Sequence, residues 1–123
     1  MNRNGKNIEV SILIIKRKDP KGDKQFIARC MEYDMAEQGK TIAEAQQNIY
    51  KMLIKQIMLD LHNGTVTFFQ FEKAPEDLQK LFKSAKPLKN TLPPPPINPE
   101  KIKHFPTLEI KEWRFFELKH PVV

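Results

Sequence analysis

The chain has 123 residues, enough for one hydrophobic core and too few for two ordinary domains. Hydrophobic residues make up 40% and charged residues 29%, which excludes a wholly disordered polymer. Lys and Arg number 21 against 15 Asp and Glu, and the resulting charge of +6 is spread along both halves, so a polyanionic partner is admitted but not demanded.

Residues 8–16 alternate as a strand. Ile8, Val10, Ile12 and Ile14 share one face, while Leu13 and Ile15 lie on the other, so the second half of this strand is expected to be covered on both sides. Lys16-Arg17-Lys18 ends the apolar run. It follows a basic start and no small-residue cleavage site, so no signal peptide is expected. No run reaches the roughly 18 apolar residues of a membrane span. A cytoplasmic protein without membrane contact is the expectation. Pro20 and Gly22 then mark a hairpin loop, and residues 25–30 form the returning strand. A short third strand covers residues 34–38 and closes at Gly39.

The best-specified element is a helix beginning at Thr41. Thr41 and Glu44 make a capping box, in which Glu44 is expected to reach back to the Thr41 amide. Ile42, Ala45, Ile49, Met52, Leu53, Ile57 and Leu61 recur at three- and four-residue spacing as one apolar stripe, and Asn63-Gly64 supplies the stop. Tyr50, Ile54 and Met58 form a second row beside the stripe. That row exceeds what one sheet face needs, so the tail or another subunit is expected to cover it.

Residues 65–71 alternate as a fourth strand, with Val66 and Phe68 on one face and Phe69 and Phe71 on the other. A short helix follows over 75–85, with proline and acids in its first turn. Residues 87–106 are a proline-rich linker containing the run Pro93 to Pro96, an extended spacer. Residues 108–118 form a last strand carrying Trp113, Phe115 and Phe116. The fold class is α+β. A three-stranded antiparallel sheet plus a fourth strand carries one long helix on a face, in the order βββαβ, with an appended short helix and C-terminal strand.

Chemistry-bearing constellations are sparse. His62, His104 and His120 have no metal-ligand spacing. Glu32 and Asp34 lie two apart and are the one carboxylate pair that offers a divalent cation two oxygens on one side, but a turn acid and a solvated acid explain them more simply. Cys30, the single cysteine, alternates with apolar residues as a small core side chain does, and it excludes a disulfide framework within the chain. The four glycines stand too far apart for a phosphate loop. Lys80, Lys83, Lys86 and Lys89 recur every third residue and are the candidate phosphate contacts, although a solvated face has the same pattern. No catalytic, cofactor-binding or metal-binding set emerges, and no enzyme activity is expected.

The stretch from Phe26 to Ile49 resembles the HicB family of antitoxins. The residues that match are Cys30, Glu32 and Asp34, then Gln38, Gly39, Thr41, Glu44 and Ala45, and finally Asn48. With the leading hairpin the resemblance covers about residues 8–71. It divides the chain into a HicB-like domain, 1–72, and a C-terminal extension, 73–123. It implies a protein-binding module without catalysis, the antitoxin of a type II toxin–antitoxin system, whose partner is a small RNA-cleaving toxin blocked by occlusion. Such antitoxins commonly append a DNA-reading module, and this tail has no pair of consecutive helices with a tight turn. A nucleic-acid-binding regulator using the lysine-rich tail, or a solitary HicB-like protein without a toxin, is the alternative. A homo-oligomer, with a dimer favoured, is expected. Its candidate interaction surface is Tyr50, Ile54, Met58, Trp113, Phe115 and Phe116, with the last strand carried onto a neighbour's sheet by the proline spacer.

Overall fold

The computed structural model describes residues 7–89 and 105–118. Strands β1 (Asn7–Lys18), β2 (Lys24–Cys30) and β3 (Ala36–Gly39) precede helix α1 (Ile42–Asn63). Helix α2 (Glu76–Ser84), the two-residue strand β4 (Lys86–Pro87) and strand β5 (Thr107–Glu117) follow. The sheet order is β3-β2-β1-β5-β4. The α+β class stands, with two helices and a mixed five-stranded sheet among the described residues.

β1 is the centre of the molecule because its side chains are apolar on both faces. Ile8, Val10, Ile12 and Ile14 pack with Ala28, Cys30, Ala45, Ile49, Leu53 and Ile57, so this face lies under α1. Leu13 and Ile15 pack with Met31, Ala74 and Ala85, covered by Leu78, Leu81 and Phe82 of α2 and by Phe116 and Leu118. Each such side chain withdrawn from water contributes about 1.5–3 kcal/mol.

The β1–β2 hairpin turns around Asp19. Its carboxylate accepts the Lys21 and Asp23 amides at 2.9 and 2.8 Å, and Gly22 sits at φ 89°. Proline and glycine mark the turn, and the preceding acid supplies its hydrogen bonds.

Residues 65–71 correct the expected fourth strand, for they form turns instead. Gly64 ends α1 in the left-handed conformation at φ 69°, and the Thr65 amide bonds back to the Asp60 carbonyl at 2.9 Å. The buried Asp60 carboxylate then accepts the Phe68 amide at 2.8 Å and the Gln56 amide group at 3.0 Å. The chain wraps back on the helix end and cannot extend. Val66 and Phe68 do not share a face. Phe68 is 2% exposed against Tyr33, whereas Val66 is 65% exposed.

The sheet is also less antiparallel than expected. β5 runs parallel to β1, from Asn7 opposite Thr107 to Lys16 opposite Glu117, with a bulge at Lys111. In the single chain described, β5 lies on its own β1. The physical reason is the same double-sided β1. One neighbour, β2, leaves its other edge open, and the nearest apolar strand closes it. Pro87 pairs with Arg114 inside β4, and Pro106 is buried. The Pro93 to Pro96 spacer, His104 and His120 lie outside the described residues.

Gly39 sets how closely α1 approaches the sheet. A Cβ there would lie 2.5 Å from the Ala45 nitrogen and 2.9 Å from the Glu44 carbonyl carbon, both rigid helix backbone. Gly39→Ala is expected to lower stability by about 1–3 kcal/mol, because the helix must shift to make room. The urea midpoint checks it, and an unchanged midpoint refutes the contact.

Candidate interaction surface

The motif residues between β2 and α1 hold the fold together. β2 peels away from β1 at Met31, whose carbonyl turns to the Ala74 amide at 2.9 Å and the Gln79 side chain at 2.8 Å. Ser11 loses that carbonyl as a ladder partner, and the Glu32 carboxylate replaces it. Glu32 accepts the Ser11 amide at 2.7 Å and the Ser11 hydroxyl at 3.0 Å, with Lys111 at 3.9 Å. Asp34 instead pairs with Arg29 at 2.7 Å. The two carboxylates thus serve different partners and do not converge on one cation. Among the described residues no group of three metal-ligating side chains occurs.

The capping box forms with one change. Thr41 Oγ1 accepts the Glu44 amide at 3.0 Å, but Glu44 reaches back to the Lys40 amide, at 3.2 Å, and not to that of Thr41. Asn48 donates from its side chain to the Gln38 carbonyl at 2.8 Å, which ties the second turn of α1 to β3.

The six residues expected to make one interaction surface do not lie together. Ile54 is fully buried, Met58 is 39% exposed, and Tyr50 lies between, its phenol raised by burial. Trp113 and Phe115 pack on the α1 side of the sheet, and Phe116 packs on the α2 side. Alternation along β5 divides them.

The four lysines are all exposed, and none forms an ion pair among the described residues. Lys80 and Lys83 lie on α2, whereas Lys86 is in β4 opposite Phe115, so the row turns at Ala85. Arg114 beneath them is structural. Its guanidinium lies 4.7 Å from the Phe82 ring centre and donates to the Phe82 and Lys83 carbonyls at the end of α2. His62 is exposed in the last turn of α1.

Two residues with no place in the motif matter most for the surface. Asp60 falls on the apolar stripe, three residues after Ile57, and an acid there followed by Asn63-Gly64 was the available signal. The turn it organises holds Phe68 at φ 59°, a conformation that disfavours a residue with a Cβ. Burial of the Phe68 ring and the bond to Asp60 hold it there. The result is a tight turn, closed by the Phe69 amide on the Val66 carbonyl at 3.1 Å, that leaves Val66 65% and Phe69 62% exposed. These are the two most exposed large apolar side chains of the described residues.

No family model, curated protein or solved structure matches the chain. No helix among the described residues is long and apolar enough to cross a membrane.

Cys30 is completely buried, and burial pushes its thiol up to about 11, partly offset by backbone hydrogen bonding at Tyr33. Glu32 and Asp34 add to the rise. Above pH 9.0 the unfolded thiol has lost its proton, while the folded one keeps it to about 11. This contribution to stability is full below pH 9 and declines as pH rises through that window, by on the order of 2 kcal/mol. Tyr33 and Tyr50, both raised by burial, push in the same direction. Urea midpoints at pH 8 and 10.5 are expected to fall, and the fall is smaller in Cys30→Ala. Equal falls in both proteins refute the role of the thiol.

Proposed function

We propose that the chain is a HicB-like protein-binding module that acts as the antitoxin of a type II toxin–antitoxin pair, blocking a small RNA-cleaving toxin by occlusion. The observation that carries a protein-binding role is the turn at residues 66–69. A strained backbone fixed by a buried carboxylate presents Val66 and Phe69 to solvent, and rigid apolar anchors of this kind suit a protein partner. The resemblance in the Gln38-Gly39 and Thr41-Ile42-Ala43-Glu44-Ala45 run supports the antitoxin assignment. Its contacts have a coherent purpose, a helix locked close to a strand end. A second reading, a regulator that binds nucleic acid through Lys80, Lys83, Lys86 and Lys89, is favoured by the exposure of all four without acidic partners among the described residues.

Co-expression with a small RNA-cleaving toxin of the HicA kind is expected to yield a stable complex in which RNA cleavage is suppressed. Phe69→Asp is expected to weaken that complex by at least about tenfold while leaving the fold intact, since its side chain is already mostly in solvent. Free toxin activity in the presence of excess chain overturns the antitoxin reading. The nucleic-acid reading has its own signature. Four phosphate contacts on duplex DNA give a log–log salt slope of about −3 to −4, lost on reversing the lysine charges.

A further inference from the structure

The charges of α1 are unevenly committed. The helix has two acids, Glu44 and Asp60, and both have tasks. Glu44 bonds to the Lys40 amide at the N-terminus, and the buried Asp60 holds the Phe68 amide. Its bases, Lys51, Lys55 and His62, are all exposed. Lys51 and Lys55 are neighbours one helical turn apart. The same side of the helix carries Met52, which is half-buried, and Leu59, which is half exposed. With Asn48, and with Glu37 of β3 at one end, these four line an open groove of about 700 Å³. Glu37, Lys51 and Lys55 form no ion pair among the described residues.

We propose that this groove binds an acidic amphipathic helix of a partner protein. Charge complementarity selects this occupant. Two lysines against one half-buried acid leave the groove net positive, in a chain whose own charge is +6, so a basic partner or a second copy is repelled and an acidic segment is drawn in. Two carboxylates one turn apart on the occupant match the spacing of Lys51 and Lys55. Met52 and Leu59 stand two turns apart, about 10 Å, and receive apolar side chains at the same interval. From Asn48 to Leu59 the groove offers about 16 Å, room for about eleven residues of helix. An extended strand added to β3 meets a Gln38 carbonyl already taken by Asn48, which disfavours that mode. A nucleic acid finds neither an aromatic ring nor an arginine among the described lining residues on which to stack a base, and Glu37 opposes phosphate at one end. The site uses neither Val66 nor Phe69 and its test needs no toxin, so it stands or fails separately from the antitoxin reading.

Fluorescence anisotropy of labelled helical peptides against the full chain tests it. Three peptides of about sixteen residues share one leucine row at steps of three and four and carry flanking glutamates, glutamines or lysines. The glutamate peptide is expected to bind with a Kd on the order of 10 µM at low salt, at least about tenfold tighter than the glutamine peptide, with the lysine peptide weakest. Lys55→Glu and Leu59→Ser are each expected to weaken it at least about fivefold, whereas Lys21→Glu, the same charge change in the β1–β2 turn, leaves it within about twofold. The chain carrying both Lys51→Glu and Lys55→Glu is expected to prefer the lysine peptide, a reversal that a misfolded groove does not give. Circular dichroism confirms that the variants fold. Absence of saturable binding up to about 500 µM overturns the proposal. So does equal weakening by Lys21→Glu, which marks attraction to net charge alone, or indifference to Leu59→Ser. Tighter binding of a single-stranded oligonucleotide that Lys55→Glu abolishes overturns it as well, and assigns the groove to nucleic acid.

Discussion

β1 cannot be satisfied by one neighbour or one covering layer. Its apolar residues occur on both faces, so it needs a strand on each edge and a helix above and below. β2 and α1 come from adjacent sequence and satisfy one edge and one face. The other edge and face must be closed by chain that arrives much later, through α2 and β5. The C-terminal segment is therefore part of the core of the molecule and not an appendage to it. The ionic contacts follow the same division. Lys16 meets Glu117 at 3.5 Å, and Lys111 meets Glu32 at 3.9 Å, each joining β5 to the N-terminal part. Both lie at the surface and add little to what apolar burial provides.

The residues that resemble an antitoxin motif turn out to be architectural in their contacts. Glu32 stands in for a backbone carbonyl, Asp34 anchors Arg29, Gly39 admits the helix, Thr41 starts it, and Asn48 ties it to β3. A motif of this kind specifies a scaffold. Partner choice must lie in residues the scaffold presents, and those need not resemble anything. This is why the exposed Val66 and Phe69 carry more of the functional argument than any residue of the motif.

Legibility from the sequence tracks how local the deciding interactions are. α1 was readable because its cap, its stripe and its Gly64 stop all act within a few residues. The β1–β2 hairpin was readable for the same reason. Residues 65–71 were misleading because their alternation is real, yet a carboxylate eight residues upstream of Phe68 removes its amide from any ladder. The position of β5 along the chain is legible in its alternation, but its partner and parallel direction are not. Period-two alternation says which residues share a face and nothing about which strand lies alongside. The same limit scattered the expected interaction surface. Tyr50, Ile54 and Met58 share a helix row, but burial along that row depends on what covers each turn.

The structure decides which charges stand free at the surface. Many of the acids in the described residues have work inside the fold. Asp19 makes a turn, Glu44 a cap and Asp60 a buried bracket, while Glu32, Asp34, Glu112 and Glu117 are held in ion pairs. Lysines on α1 and α2 have no such tasks and face solvent. The net charge of +6 is compositional, 21 bases against 15 acids, and the committed carboxylates change only which charges stand free at the surface. It does not by itself signal a polyanionic ligand. With a net charge of +6 the chain offers a basic protein little long-range attraction, so association with one rests on apolar anchoring and slow dissociation more than on electrostatic steering. That is the regime in which a rigid, strained turn is useful. A turn already held in its bound shape loses little conformational freedom when it docks.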